Sequence, residues 1–245
     1  MFFSPSSLAK SIDGAALAQK VYDRDNGKDS YAIVKMLLIN KRGKKRLRTM
    51  ITATKDYRDL TKNYIRFTSP ASIKDTSFLT WENADRDDDQ FLYLPALRRV
   101  RRIVSSQKKN RFVNTDYTYE DLERRAVIED NHTILKIEKY AQHECWVLES
   151  IPKNLKNTQY SRRVSWIVKD IYIPIKTEYY DKKGRLCKKF YGRRLKKIDG
   201  IWTVMEAEMH DLKKKHRTLM KYSGLKYNQG IPDKVFTKAY MIHAE

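Results

Sequence analysis

The sequence has 245 residues, of which 41% are hydrophobic and 11% aromatic. A chain of this length and composition can bury a sizeable core as one large domain, which excludes an intrinsically disordered protein. Its 51 Lys and Arg outnumber 30 Asp and Glu, and the net charge of +21 favours anionic partners such as lipid headgroups or nucleic acid.

The first predicted element is a helix over residues 7–24. Apolar residues from Leu8 to Val21 recur there at helical spacing. The weak point of this helix is the pair Asp13 and Gly14, because both residues have low helix propensity.

Beyond this helix the apolar residues mostly alternate with polar ones, which predicts strands. We expect about eleven strands in nearly continuous meander order, from residues 30–40 to residues 216–222. Short helices are predicted in the middle of the chain, over residues 94–103 and 119–125. A last short helix is predicted over residues 231–236, because Pro232 stands at a position where proline favours the start of a helix.

These elements predict a mainly β fold with few helices, in a single domain of residues 1–245. Its centre is one large, curved antiparallel sheet, closed or half closed into a barrel. Alternation assigns one face of each strand to charged residues and the other to apolar ones. The residues assigned to a continuous apolar face, where they would line a ligand cavity, are Ile65, Phe67, Trp146, Leu148, Val164, Trp166, Val168, Met205 and Met209.

The apolar face of so wide a sheet must be covered. The predicted covers are the first helix and the region of residues 94–125, which together are small for a sheet of this width. This mismatch favours a cavity between the covers and the sheet. The alternative is a sheet that closes on itself and packs solid.

The sequence has no motif of a known catalytic site, such as GxSxG, HExxH or a Walker-type glycine loop. Its histidines are scattered, without the pairing that a metal site needs. We therefore expect a binding protein without catalytic residues, metal or cofactor. Cys145 and Cys187 either form one disulfide or remain two free thiols facing the core.

The chain contains no apolar run long enough to span a membrane as a helix. Its first residues, MFFSP, do not have the pattern of a signal peptide. The protein is therefore expected to be either cytoplasmic or a mature form from which a signal peptide has been removed.

Two motifs in the middle of the chain carry a specific likeness. Residues 90–103 read QFLYLPALRRVRRI, and residues 112–122 read FVNTDYTYEDL. They resemble the LolA-like family of outer-membrane lipoprotein-sorting proteins, in the branch associated with RND-type exporters. Residues 66–79, 180–186 and 231–237 also fit the pattern of that family. Two positions depart from it, because Asn114 and Asp75 stand at or near expected glycines.

The resemblance implies a half-open β-barrel with a helical lid over a hydrophobic cavity. It also implies a periplasmic protein, in some members lipid-anchored, that is not an enzyme and carries the acyl chains of lipoproteins or lipids. The expected partners are an RND-type transporter or an outer-membrane acceptor, and the expected state is a monomer.

Residues 94–125 are the predicted lid. On its surface a set of residues is expected to contact an anionic lipid headgroup or an acidic transporter surface: Tyr93, Leu97, Arg98, Arg99, Arg101 and Arg102. The alternative is that the arginines pair with Asp116, Glu120 and Asp121 and fix the segment in place.

Two other functions compete with the carrier. One is an envelope sensor that uses the same fold to bind a regulatory partner. The other is a nucleic-acid-binding β-protein, suggested by the charge and the 16 Tyr. The second is disfavoured because the aromatic residues do not gather on one basic strand pair, as a stacking platform requires.

Overall fold

The structure is a computed structural model that describes residues 12–58, 60–83 and 86–243. Within these residues the chain forms two α-helices and a single antiparallel sheet of thirteen strands. The helices are α1 (Gly14–Tyr22) and α2 (Lys238–His243). The strands are β1 (Asp29–Ile39), β2 (Lys45–Asp56), β3 (Thr61–Ser69), β4 (Ser77–Trp81), β5 (Asp89–Leu94), β6 (Arg99–Ile103), β7 (Asp130–Tyr140), β8 (His143–Pro152), β9 (Tyr160–Val168), β10 (Pro174–Asp181), β11 (Leu186–Ile198), β12 (Ile201–Asp211) and β13 (His216–Tyr227).

The order of the strands in the sheet explains how the chain covers it. The order is β6-β5-β4-β3-β2-β1-β13-β12-β11-β10-β9-β8-β7, so that β6 and β7 are the two edges and β1 pairs with β13 in the middle. Between β6 and β7 the chain must pass from one edge to the other. Residues 104–129 make this passage in a series of 3₁₀ turns, and we call them the crossing segment.

We call the face of the sheet that contacts α1 and the crossing segment the inner face. On β1–β5 it presents a buried apolar cluster into which the crossing segment inserts two aromatic side chains, Phe112 and Tyr119. The ring of Phe112 lies 5.1 Å from that of Phe78 and 5.9 Å from that of Phe67. The crossing segment therefore fills the centre of this half of the inner face.

The opposite, outer face is covered over β2–β6 by the C-terminal residues 229–243. Phe236 and Met241 are buried there against Tyr64 and Leu79. The segment is also held at its start, because the carboxylate of Asp29 accepts hydrogen bonds from the backbone N–H groups of residues 229, 230 and 231.

The first predicted helix begins later than expected. The helix starts at Gly14, and Asp13 caps it, because the Asp13 Oδ1 accepts a hydrogen bond from the Ala16 N–H at 2.7 Å. Asp13 and Gly14, which were predicted to be a weak point inside the helix, therefore form its start. Residues 7–11 of the predicted helix, Leu8 among them, lie outside the described residues.

The prediction of helices in the middle of the chain was wrong. Residues 94–103 form a 3₁₀ turn, Pro95–Leu97, and then the edge strand β6; residues 119–125 contain only the 3₁₀ turn Glu120–Leu122. The crossing segment over the inner face is therefore irregular and does not form the predicted helical lid. At the end of the chain the predicted helix is the 3₁₀ turn Asp233–Phe236, and α2 follows it.

Cys145 and Cys187 are separate, buried thiols. They lie on β8 and β11, three strand spacings or about 14 Å apart, which is beyond the reach of a disulfide. None of the helices in the described part of the chain is long and apolar enough to cross a membrane.

Candidate functional site

Helix α1 lies on the inner face of β7–β9. Its buried side, formed by Leu17 and Ala18, contacts Leu148 of β8 and Ile167 of β9. The helix can approach β7 only because it begins with a glycine: a Cβ on Gly14 would lie 2.3 Å from the carbonyl oxygen of His132. The local sequence therefore sets the distance between the helix and the sheet.

A cavity of about 350 Å³ lies between α1, the crossing segment and the inner face of β7–β10. This volume is within the range of small-ligand sites. The lining is part apolar and part polar. The apolar part consists of Ala18, Val21, Ala126, Val127, Leu148, Ile167 and Pro174.

The charged groups of the cavity neutralise one another. Asp130 is buried, and its two carboxylate oxygens lie within ion-pair distance of Arg125 and Arg163, at 2.8 and 2.5 Å. Arg125 also lies 3.2 Å from Glu129 Oε2, so that two carboxylates balance the two arginines beside the apolar surface. Such a lining suits a ligand with an apolar chain and a polar end.

His132 connects three elements at the cavity wall. Its Nε2 lies 3.0 Å from the carbonyl oxygen of Val127, and its Nδ1 lies 2.9 Å from the Ser150 hydroxyl. Because a carbonyl only accepts, the Nε2 donates to Val127, and the Nδ1 is left as the partner of the Ser150 hydroxyl. His132 thus holds the crossing segment to β7 and β8.

A second cavity of about 430 Å³ adjoins the first beneath the crossing segment. The two share five lining residues: Arg124, Arg125, Ala126, Arg163 and Tyr179. Arg124 also lines a cleft of about 1130 Å³ that lies between α1 and the turns at one end of the sheet. Arg124 therefore lies at the junction of the two cavities and the cleft.

The side chain of Arg124 is held by groups from three different parts of the chain. Its Nη1 donates to the Thr61 hydroxyl at 3.1 Å and lies 3.5 Å from Glu82 Oε2, and its guanidinium stacks 3.8 Å from the centre of the Tyr22 ring. The Tyr22 hydroxyl donates to Glu82, and burial together with this bond raises the pKa of Tyr22 to about 12.

Further charged contacts fasten the crossing segment to the sheet. Asp121, almost fully buried, lies 2.7 Å from Lys188 Nζ and accepts a hydrogen bond from the Tyr160 hydroxyl at 2.7 Å. Within the crossing segment itself, Lys108 Nζ lies 2.6 Å from Glu123 Oε1. Burial nevertheless raises the pKa of Glu123 to about 7.

The structure separates the residues that were predicted to share one apolar face. Trp166 pairs with Val147 and Lys176 on the outer face, whereas Trp146 pairs with Ile167 on the inner face. Val164 and Val168 lie on the outer face with Trp166. Their assignment to the same face as Trp146 and Leu148 was wrong, because alternation within a strand does not fix its register with the next strand.

The other predicted cavity residues lie on the inner face, but in different places. Leu148 lines the 350 Å³ cavity. Trp146 stacks on Tyr172 beside α1, at 5.8 Å between ring centres. Ile65 and Phe67 belong to the cluster filled by the crossing segment. Met205 and Met209 lie on β12, where Met209 faces Phe190 and Thr218.

The residues predicted to act on the lid lie at the edge of the sheet. Tyr93 is buried on the outer face under the C-terminal segment, and Leu97 is exposed in the turn before β6. Arg98, Arg99 and Arg101 are exposed, and Arg102 lies 2.5 Å from Asp89.

The alternative, in which these arginines pair with three carboxylates of the crossing segment, was wrong. Asp116 lies 2.9 Å from Arg111 and 2.6 Å from His216. Glu120 accepts hydrogen bonds from Thr158 and Gln159, and Asp121 is bound to Lys188. The carboxylates face β9, β11 and β13, far from the edge strand β6 that carries the arginines.

Sequence reasoning missed Gly14, Arg124 and Asp130. A signal existed for the first, since a glycine directly after an N-cap aspartate is a poor helix former that needs another reason to be there. A signal also existed for Arg124, which directly follows three acidic residues, Glu120, Asp121 and Glu123. Asp130 has one partner nearby, Arg125, but its second partner, Arg163, is distant in the sequence, and no local pattern shows that the two meet at one carboxylate.

Two comparisons with known sequences bear on this chain. A family model described as an uncharacterized protein matches residues 59–243. No curated protein matches the chain significantly.

Solved structures resemble the chain over almost its full length. It is 35% identical to a DUF1329 family protein from Desulfovibrio piger, with a TM-score of 0.88 over 93% of this chain and 97% of that one. It is 33% identical to a protein from Vibrio parahaemolyticus described as a candidate outer-membrane lipoprotein-sorting protein domain, with a TM-score of 0.88 over 94% of this chain and 98% of that one. A LolA-superfamily protein from Nitrosomonas europaea is 21% identical and shares the fold, with a TM-score of 0.73 over 94% of this chain and 100% of that one.

Proposed function

The chain belongs to the DUF1329 family and has the fold of LolA-superfamily proteins, and from this we propose that it is a non-enzymatic carrier of acyl chains in the cell envelope. Its cargo is the acyl chain of a lipoprotein or of a free lipid. The relative from Vibrio parahaemolyticus, described as a lipoprotein-sorting domain, supports this cargo and an envelope location.

The observation that carries the proposal is the cavity between α1, the crossing segment and the inner face of β7–β10. One side of it is apolar, through Val21, Leu148 and Ile167, and the other presents the paired arginines Arg125 and Arg163. An acyl chain would lie along the apolar side, and its ester or headgroup would face the guanidinium groups.

Burial of the chain supplies the binding energy. Each methylene removed from water contributes about 0.8 kcal/mol, so that even eight methylenes yield roughly 6 kcal/mol before ordering costs. The larger cleft that shares Arg124 with the cavity offers a path by which the rest of a longer chain could leave it.

Release of the cargo requires the crossing segment to move. The segment is held over the cavity by polar contacts, chiefly those of Arg124 and His132, and polar contacts can exchange with water more readily than a packed core. The proposed acceptors are an outer-membrane protein or an RND-type transporter that binds this segment and opens it.

The test is native mass spectrometry of the purified protein, followed by organic extraction of any bound molecule and by incubation with a fatty acid or an acylated peptide. We expect a stoichiometric complex. The variant Ala18→Phe should fill the cavity and reduce binding by at least about tenfold. Ala96→Phe, at an exposed turn, is the matched control and should bind as the wild type does.

A protein that stays free of ligand under these conditions would contradict the carrier function. Equal binding by Ala18→Phe, shown by circular dichroism to be folded, would place the ligand elsewhere. An apo protein that instead captures an envelope protein would support the sensor function.

A further inference from the structure

A dense group of cations lies at one end of the sheet. In an antiparallel sheet, alternate turns lie at the same end. The registers place the β1–β2, β10–β11 and β12–β13 turns together, because Ile39 faces both Lys45 and Arg217, and Asp211 faces both His216 and Lys188. We call residues 40–46, 181–185 and 211–217 the basic rim.

The basic rim is dense in cations and poor in anions. Its only carboxylates are Asp181 and Asp211. Its exposed cations are Lys41, Arg42, Lys44, Lys45, Arg46, Lys182, Lys183, Arg185, Lys213, Lys214, Lys215 and Arg217. Asp181 is shared between Arg185 and Lys213, at 2.8 Å each, so most of the other cations keep their full charge toward solvent.

The three turns form one continuous surface. Neighbouring hairpins in the sheet are separated by two strand spacings, or about 10 Å. The ion pair between Lys213 and Asp181 directly joins the β12–β13 turn to the β10–β11 turn. The rim is therefore a row of cations about 20 Å long rather than isolated clusters.

The other end of the sheet differs in charge. Within the described residues its turns carry no excess of cations, and their charged residues are Asp23, Arg24, Asp25, Lys28, Asp56, Arg58, Glu82, Arg86, Asp87, Asp88, Lys169, Asp170 and Asp199. The molecule thus has one strongly positive end and one nearly neutral end, which would orient it in the field of an anionic surface.

Two exposed leucines accompany the cations of the basic rim. Leu212 lies in the β12–β13 turn and Leu47 directly follows Arg46, with 37% and 59% of their surfaces exposed. Phe, Tyr and Trp do not occur in the three segments of the rim. Cations with aliphatic side chains suit a lipid headgroup layer, whereas single-stranded nucleic acid is bound by stacking on aromatic rings.

We propose that the basic rim docks the protein on the surface of an anionic phospholipid membrane. Lysines and arginines near such a surface attract it additively, and the attraction falls as salt screens it. The nearly neutral end, with the large cleft beside α1, then faces away from the membrane. Docking does not need a bound acyl chain and is independent of the proposed carrier function.

The test is sedimentation of the protein with vesicles in the absence of acylated ligand. Vesicles of phosphatidylcholine with about one-third phosphatidylglycerol should bind it at low salt, and vesicles of phosphatidylcholine alone should not. The rim variant replaces Lys41, Lys44, Lys182 and Lys183 by Gln. It should lower partitioning by at least about 100-fold.

The matched control replaces four exposed lysines away from the rim by Gln: Lys139, Lys196, Lys197 and Lys226. It removes the same charge and should keep most of the binding. Three results would overturn the proposal: no binding of the wild type to the anionic vesicles, equal losses in the two variants, or tighter binding to a short RNA than to the vesicles at equal salt.

Discussion

The guanidinium of Arg124 lies 3.8 Å from the centre of the Tyr22 ring, and so the crossing segment rests directly on the last turn of α1. The same guanidinium donates to the backbone carbonyl of Tyr22 and to the hydroxyl of Thr61. One side chain therefore joins α1, the start of β3 and the cover of the cavity.

Replacing Arg124 by Gln should loosen the crossing segment while leaving the sheet intact. The stacking and the charged hydrogen bonds are lost together, for which we expect a decrease of about 1–3 kcal/mol in the free energy of unfolding. Hydrogen exchange should become faster in residues 120–127. Arg98→Gln, at an exposed turn, is the control, and equal exchange in the two variants would contradict the role given to Arg124.

Because α1 lies so close to β7, replacing Gly14 by alanine should destabilise the protein although alanine is the better helix former. Alanine has a higher helix propensity, so Gly14→Ala would stabilise an isolated helix. In the protein the new methyl group meets the carbonyl of His132, and the free energy of unfolding should fall by about 1–3 kcal/mol. Denaturant unfolding measures the sign, and a more stable variant would refute the close approach. Ala15→Ser, on the exposed side of the helix, should have little effect.

Asp29 fastens the C-terminal segment to the sheet through backbone N–H groups. Its Oδ1 accepts from residue 229 at 2.8 Å and its Oδ2 from residues 230 and 231, at 2.8 and 3.1 Å. In Asp29→Ala these three partly buried hydrogen bonds are lost together, which should cost about 1–3 kcal/mol.

Limited proteolysis should then cut the Asp29→Ala variant near residues 228–232 sooner than the wild type. Asp25→Ala removes a single exposed hydrogen bond and is the control. If both variants resist proteolysis equally, Asp29 does not hold the segment.

The buried carboxyls below the crossing segment predict a dependence of stability on pH. Burial raises the pKa of Glu123 to about 7 and that of Asp88 to about 6. In the unfolded chain such groups titrate near 4, so the folded state binds more protons in between. Their contribution to stability is therefore fully present below about pH 4 and is lost as the pH rises to about 7.

The side chain of the Glu123→Gln variant does not titrate. Relative to the wild type, its free energy of unfolding should rise between about pH 4 and 7 and then level off, as measured by urea unfolding. Asp233→Asn is the control, because a hydrogen bond from Lys55 holds the pKa of Asp233 below its ordinary value, outside this interval. A constant difference between Glu123→Gln and the wild type would show that Glu123 is ionised throughout.

Alternation was enough to predict most of the strands but not the edge strand β6. Its sequence, RVRRI, places Val100 and Ile103 at helical spacing among arginines. These charges protect the open edge of the sheet from pairing with another chain. The alternation of apolar and polar residues does not show that a strand lies at an edge, and so it did not predict β6.

The candidate site was harder to predict than the fold. On β9, three consecutive residues from Trp166 to Val168 are buried, because Ile167 packs against α1 while Trp166 and Val168 pack into an apolar cluster of the outer face. Alternation then cannot tell which face belongs to the cavity. The pairing of Trp146 with Ile167 decides it, and a register between strands depends on contacts that no local stretch contains.

The pairing of β1 with β13 determines when the protein can fold. Val34 faces Tyr222 across this pair, so nearly the whole described chain lies between two neighbours in the middle of the sheet. Hydrogen bonds of such long range form slowly, because a large loop must close first. Until β13 has been synthesised, one long edge of β1 remains open, and a nascent chain that stalled before that point would be prone to aggregation.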